Sequence, residues 1–460
     1  MFGLNILRLQ PRKNVFFVRV LPLAFRADRV FLSLGILYIS AYKFLQEILF
    51  NSFLAQFALH GTVLCIIIYK DFPTKGLNIF ILKNRQKRGI MTKYILALDI
   101  GGTNPRLAMM EVLGPDSYEI KHKQSIDKNQ DSVIPSINNF LKECADRFNY
   151  TTDTCCACVA GPISNNECLR PTNAKFPVSG DEIAEKTELK NVLVINDFQA
   201  IGEAVATFNL SKRNEALVPL TPALNPDPFG NRGVIGPGTG LGVSYLIYTR
   251  KGFIVSPSEG GHAGSPIRGD YSALYRFIQG KYNIRQVGME ALVSGQGIRN
   301  ILEFLLSDQE LFQELIRKNP SFGEEPQDKR VTDETFKESL RKEADGAQDI
   351  DTARLVSESI GYNQKAKIAM RLFMEFLGSA AQSVALHGLT TGGLFIAGGI
   401  PEKNLELLRN GDFMSSFLDN WKPNIALFLQ KIPVYVISDY DINFYGCARA
   451  ANQQFHTSTF

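Results

Sequence analysis

The sequence predicts an α/β fold built as two successive halves, and three observations carry the prediction. A strand, a glycine turn and a second strand occur at Leu96–Met110, "LALDIGGTNPRLAMM", and recur at Gly233–Tyr248, "GVIGPGTGLGVSYLIY". Short apolar runs alternate with segments of helical period after each of them. A stretch rich in Pro and Asn, residues 210–233, separates the two and reads as the crossing between halves.

In the first half, "YILALD" (94–99) is a short apolar strand, and "RLAMMEV" (106–112) resumes after the turn. "SVIPSINNFLKECADRF" (132–148) carries Ile137, Phe140, Leu141 and Cys144 at helical spacing. "CCACVAGP" (155–162) suits either a metal cluster or a buried strand. Its alternation with Ala and Val favours the strand, with cysteine as a small apolar residue. "NVLVIND" (191–197) is a further strand, and the helix after it places Phe198, Ile201, Val205 and Phe208 on one face. In the second half, "FIVS" is a third strand leading into "PSEGGH". The charged residues 305–350 read as exposed peripheral helices. A long buried helix is expected over 364–387, then a strand, the diglycine Gly398-Gly399 and a helix over 392–408 with Pro401 near its first turn. A last strand (432–438) and a closing helix (446–455) complete the chain.

Composition bounds the function. The 460 residues are 45% hydrophobic and 21% charged, which fits a globular protein of two or three domains. The net charge of +4 is uneven: residues 1–90 hold 13 Lys/Arg and 3 Asp/Glu, the remainder 37 and 43. A mildly acidic body argues against a nucleic-acid binder. The 7 scattered cysteines follow no framework spacing, which points to reduced thiols and a cytoplasmic setting. Residues 1–90 form an acid-poor extension. Ile48–Tyr69 is a 22-residue run without a charged side chain, long enough for a membrane anchor. The basic start also suits a targeting segment. The third reading is an upstream segment outside the functional domain, since "MTKYILALDIGGT" reads as a natural start at Met91. Membrane association is open only through this extension.

A single glycine turn between apolar runs reads first as a hairpin. Two in successive α/β halves suggest a pair of phosphate clamps, because glycine lets backbone N–H groups approach an anion unobstructed. Gly101, Gly102 and Thr103 would form one clamp, and Gly238, Thr239 and Gly240 the other. Asp99 would hold Mg²⁺ through its water shell. Gly398 and Gly399 would leave space for a base or ribose. Asp197 stands at the carboxyl end of a buried strand, where ligands bind in open α/β sheets. It is equally placed to be the N-cap of the following helix. Glu259 and His262 follow an apolar strand in "SEGGH", a turn as well suited to a site as to plain connection. Glu290 reads by default as an exposed glutamate.

Together "DIGGTNPR", "INDFQA", "GPGTGLGVS", "PSEGGH", "EALVSGQG" and "GGLFIAGGI" make residues 91–460 resemble the bacterial-type ATP-dependent glucokinases, of the actin, heat-shock chaperone and sugar kinase superfamily. The resemblance implies a two-domain actin-like (ribonuclease H-like) α/β fold with a cleft between the domains. Its small domain would hold residues 91–209 and 439–460, and its large domain residues 210–438. It implies MgATP at the glycine turns, with Asn104 and Arg106 joining the nucleotide site, and glucose between the domains. Asn196 and Asp197 would bind the O4 and O6 side of the sugar, with Asp197 as base. Glu259, His262 and Glu290 would bind hydroxyls on the O1–O3 side, and Asn173 in "RPTNAKFPVS" matches a further sugar-contacting asparagine. Pro105, "AGSPIR" after His262, and Gln296 depart from the family pattern; they bear on loop geometry and sugar preference. A kinase for another hexose or amino sugar is the alternative. A sugar sensor without catalysis and a chaperone-like ATPase fit less of the motif set. Whether the enzyme is a homodimer is not legible in the sequence.

Overall fold

The computed structural model describes residues 4–12, 15–23, 64–70, 77–83 and 93–456, the last apart from 101–104, 128–129, 173, 211–213, 223–224, 266–270, 308, 319, 323–325, 327–329 and 348–349. The chain divides into two compact units, Met1–Met91 and Thr92–Phe460. In the first, β1 (Leu4–Arg12), β2 (Val15–Leu23), β3 (Leu64–Lys70) and β4 (Leu77–Lys83) form one sheet in the order β2-β1-β4-β3. Most of the apolar run Ile48–Tyr69 lies outside the described residues; its end, from Leu64, is strand β3. No helix among the described residues is long and apolar enough to cross a membrane.

The second unit opens with β5 (Lys93–Ile100), β6 (Arg106–Gly114), β7 (Ser117–Ser125), α1 (Ile134–Phe148) and β8 (Thr154–Val159). Next come β9 (Glu167–Cys168), β10 (Val178–Ser179), α2 (Gly180–Lys186), β11 (Asn191–Asn196) and α3 (Asp197–Ala206). The later part holds β12 (Leu217–Pro219), β13 (Arg232–Pro237), β14 (Leu241–Thr249), β15 (Gly252–Ser258), α4 (Ser272–Tyr282), α5 (Gly295–Ser307), α6 (Gln309–Lys318), α7 (Asp333–Ala344) and α8 (Thr352–Glu358). It ends with α9 (Gln364–Gly388), β16 (Leu394–Ile396), α10 (Gly399–Lys403), α11 (Leu405–Arg409), α12 (Asp412–Leu418), α13 (Pro423–Leu429), β17 (Val434–Ile437) and α14 (Ile442–His456).

Two sheets repeat one plan. The order is β11-β8-β5-β6-β7 in the first and β12-β17-β16-β13-β14-β15 in the second. In each, the central strand (β5 or β13) runs parallel to one neighbour and antiparallel to the strand that follows its glycine turn. Strand β7 has no counterpart in the sequence reading. Its "SYEIKHKQS" is polar because it is the edge strand, half-exposed along most of its length.

Each sheet is covered on both faces. On the first, Phe140, Cys144 and Ile183 pack on one side, and Phe444, Cys447 and Ala451 on the other. On the second, α9 with Phe373 and Leu377 covers one side, and Ile201, Ala204 and Val205 of α3 the other. The "CCAC" segment is strand β8, buried throughout, and its thiols are free. The peripheral helices are less exposed than their charge suggests: Phe312, Phe322 and Phe336 reach into the main core.

The helices α3 and α14 are exchanged. Helix α3 leaves the first sheet and packs on the second; α14 leaves the second and packs on the first. They meet at Gly446, where a Cβ would collide with the Ala200 carbonyl. A buried ion pair, Arg449 to Glu203, joins them, and Arg449 reaches Asp116 at 3.0 Å.

Candidate active site

Strands β5, β8 and β11 are parallel, so Asp99 and Asn196-Asp197 come to the same edge of the first sheet. Asn196 is the N-cap of α3: its Oδ1 accepts from the N–H groups of Phe198 at 2.9 Å and Gln199 at 3.3 Å. The capping alternative for Asp197 is thereby corrected. Its carboxylate is the first helical residue and accepts from the Phe198 N–H at 3.0 Å. Burial, then repulsion from Asp99 and Glu259, outweigh that hydrogen bond and push the Asp197 carboxyl up to about 7. Carboxylates from both sheets therefore act on one group.

Asp99 is 6% exposed and held on both oxygens. Its Oδ2 accepts from Arg106 at 2.6 Å, and its Oδ1 accepts from Asn443 at 3.2 Å and from the Cys158 thiol at 3.7 Å. Arg106 also donates to Asp441 at 2.6 Å and to the Tyr440 carbonyl at 2.9 Å. The Tyr440 ring lies over it at 3.9 Å. Its visible polar partners are thus carboxylates and a carbonyl, which makes it the holder of Asp99. Asp441 and Asn443, in "SDYDINF" after the last strand, escape a motif reading because they are far from Asp99 in sequence. The glycine turn itself, Gly101, Gly102, Thr103 and Asn104, lies outside the described residues, as does Asn173.

The second glycine turn joins β13 to β14, closed by the Gly238 N–H donating to the Gly240 carbonyl at 2.8 Å. Around Gly238 a Cβ would meet open space, and Thr239 is the residue between. Gly240 has a different reason to be glycine: a Cβ there would stand 2.5 Å from Glu290 Oε2. That oxygen accepts from the Leu241 N–H at 2.8 Å. Gly398 adopts φ +100° against the Pro237 carbonyl, a conformation and a contact closed to other residues. Gly399, in contrast, faces open space.

Glu259, His262 and Glu290 come together. His262 ends a 3₁₀ turn, Gly260–His262, which puts Nε2 3.7 Å from Glu259 Oε2 and Nδ1 3.9 Å from Glu290 Oε1. The side chains of Glu259 and His262 are 65% and 66% exposed, so their polar edges are available to a ligand. Glu290, read from sequence as an exposed glutamate, is half-buried and anchored on the glycine turn.

Comparisons with known proteins identify the family and the fold. The family described as Glucokinase matches residues 96–454 of the chain. A glucokinase of Synechocystis sp. is 30% identical over 376 residues, covering 79% of this chain and 99% of the relative. One of Nostoc sp. is 30% identical over 359 residues, covering 78% and 98%. Among solved structures, glucokinase from an Antarctic psychrotroph aligns with a TM-score of 0.59 at 23% identity, covering 78% of this chain and 99% of its own. Glucokinase from Balamuthia mandrillaris in complex with glucose aligns at 0.60 and 23%, covering 78% and 94%. Both structural likenesses establish the actin-like two-domain α/β fold for this chain.

Proposed function

The chain belongs to the glucokinase family, and from that premise we propose that it transfers the γ-phosphoryl group of ATP to the C6 hydroxyl of glucose, with Asp197 as general base. The observation that carries the assignment is the parallel register of β5, β8 and β11, which brings Asp197 and Asp99 to one end of the sheet; burial and the Asp99 and Glu259 carboxylates push the Asp197 carboxyl up to about 7. A base near the working pH accepts the hydroxyl proton as the O–P bond forms. The products are glucose 6-phosphate and ADP, and the step serves entry of glucose into glycolysis.

Phosphoryl transfer is mainly positioning and charge neutralisation. Gly101 to Asn104 and Gly238 to Gly240 are assigned to the phosphates, and Gly398 and Gly399 to the nucleoside end. Arg106 serves the phosphate end through Asp99. Among the described residues no group of three acids, histidines or cysteines forms a direct metal cage. Asp99, at a strand end and already bonded to Arg106 and Asn443, suits contact with Mg²⁺ through metal-bound water. A Mg²⁺ ion held there would supply neutralisation of the phosphate charge. Asn196 and Asn173 are assigned to the sugar beside Asp197; Asn196 also donates to the Gly161 carbonyl at 3.2 Å, which fixes its side chain. Closure of the two domains would keep water, the competing nucleophile, from the phosphate. The six described cysteines are free and buried, which supports a reducing, cytoplasmic setting.

A coupled ADP-release assay against a panel of hexoses tests the reading. Glucose is expected to give the highest kcat/KM. Preference for another hexose shifts the assignment to that sugar, and ADP release independent of any hexose ends it. Glu259→Ala and His262→Ala are each expected to cost ~1–3 kcal/mol of sugar binding, seen as a raised glucose KM with little change in the ATP KM. Unchanged sugar dependence in both variants would make the pair structural. Because every motif follows Met91, the fragment 91–460 is expected to be soluble and as active as the full chain. Sedimentation and the same assay check this, and an inactive fragment beside an active full chain contradicts it.

A further inference from the structure

Gly236 and Gly242 sit opposite each other across the β13–β14 ladder, one rung below the Pro237–Leu241 pair that opens the glycine turn. Neither has room for a side chain, and the same ring fills both places. A Cβ on Gly236 would lie 2.7 Å from the Phe198 ring, and one on Gly242 would overlap it. A rung with no Cβ atom on either strand leaves a slot, and the ring of Phe198 fills it. One helical turn along α3, Gly202 rests in the same way on Ser244 and Val255. The start of α3 is thereby pressed onto the hairpin that carries Gly238, Thr239 and Gly240.

The backbone of Phe198 also carries the N–H that donates to Asp197 Oδ1 at 3.0 Å and to Asn196 Oδ1 at 2.9 Å. We infer that Phe198 is a positioning residue: its ring, seated in the Gly236–Gly242 slot, ties the Asp197 carboxylate to the phosphate turn of the other sheet. The base and the phosphate-side backbone then move as one piece, although they belong to different sheets. The inference rests on the assignment of Asp197 as base. It explains why "GPGTGLG" carries glycines on both flanks of the turn as well as within it.

The test compares Phe198→Ala, Phe198→Leu, Gly242→Ala, the double variant Phe198→Ala/Gly242→Ala and Asp197→Asn in the full chain. Measured quantities are kcat, both KM values and melting temperature. A displacement of the base on the order of 1 Å costs up to ~100-fold, so Phe198→Ala is expected to lower kcat ~10–100-fold with both KM values little moved. Phe198→Leu keeps apolar burial and should melt near wild type while still losing kcat, which a purely structural role would not produce. Gly242→Ala displaces the ring and should lower kcat in the same way. In the double variant the collision is gone, so its kcat should match Phe198→Ala alone rather than the product of the two losses. Wild-type kcat in Phe198→Leu, or losses that multiply, would overturn the inference. If Asp197→Asn keeps full kcat, the base assignment has failed instead, and the coupling fails with it.

Discussion

Asp197→Asn is expected to lower kcat by ~10²–10⁴-fold, the range for loss of a general base, while the protein stays folded and binds glucose. The helix start does not depend on this side chain, because Asn196 caps α3. Asparagine keeps an oxygen for the Phe198 N–H and a hydrogen bond for the sugar hydroxyl, but it cannot take a proton. Calorimetric glucose binding, melting temperature and kcat separate the chemistry from the fold. A variant with wild-type kcat removes Asp197 from the mechanism. The pH dependence has a definite sign. The carboxyl moves from its ordinary 3.8 up to about 7 in the folded protein. Below pH ~4 both folded and unfolded chains hold this proton; between ~4 and ~7 only the folded chain does. Stability supplied by this group is therefore full at low pH and is lost as pH rises toward 7. Activity runs the other way: kcat/KM should fall below about pH 7 as the base becomes protonated. Relative to wild type, Asp197→Asn should gain stability across that interval.

The second large effect is expected at Arg106. The residue is 8% exposed, and its guanidinium holds Asp99 and Asp441, each at 2.6 Å. Arg106→Ala leaves a buried carboxylate without its cation, a loss on the order of 3–5 kcal/mol, read as a lowered urea midpoint. Asp441 loses less, because Lys123 remains 2.6 Å from its other oxygen. Arg106→Lys keeps the charge but not the planar fork that reaches two carboxylates and a carbonyl together, so it should recover only part of the loss. An Arg106→Ala protein as stable as wild type would show that the cluster is not what holds Asp99.

Most of the fold was legible because buried strands and helices announce themselves by period. Strands β5, β8, β11 and β13 are apolar runs covered on both faces, and α9 is a long helix lined with buried residues. Strand β7 was not legible, because only Tyr118 and Ile120 on its inner face are apolar and the rest of this edge strand is polar and largely exposed. The cluster of Glu259 and His262 was readable as "SEGGH", but the place of Glu290 was not, since its anchor is a backbone N–H contributed by β14. The resemblance puts Arg106 in the nucleotide site; what it could not show is that the side chain reaches Asp99 and a loop more than 300 positions away. The flanking glycines at 236 and 242 carried a signal, since neither is needed to make the turn. What they made room for could be seen only once α3 was laid on the second sheet.

The exchange of α3 and α14 bears on how the chain is made. The first sheet acquires its second cover only when α14 arrives, and α14 is the last element of the chain. During synthesis the early sheet must therefore leave the ribosome with the apolar face of Ala97, Ala108, Met110 and Cys156 uncovered. The nascent chain carries that surface for as long as roughly two hundred and fifty further residues take to be added, tens of seconds at ~5–20 residues per second. Chaperone demand should be concentrated in this interval, and a ribosome stalled anywhere between the two sheets would display an aggregation-prone intermediate rather than a finished domain.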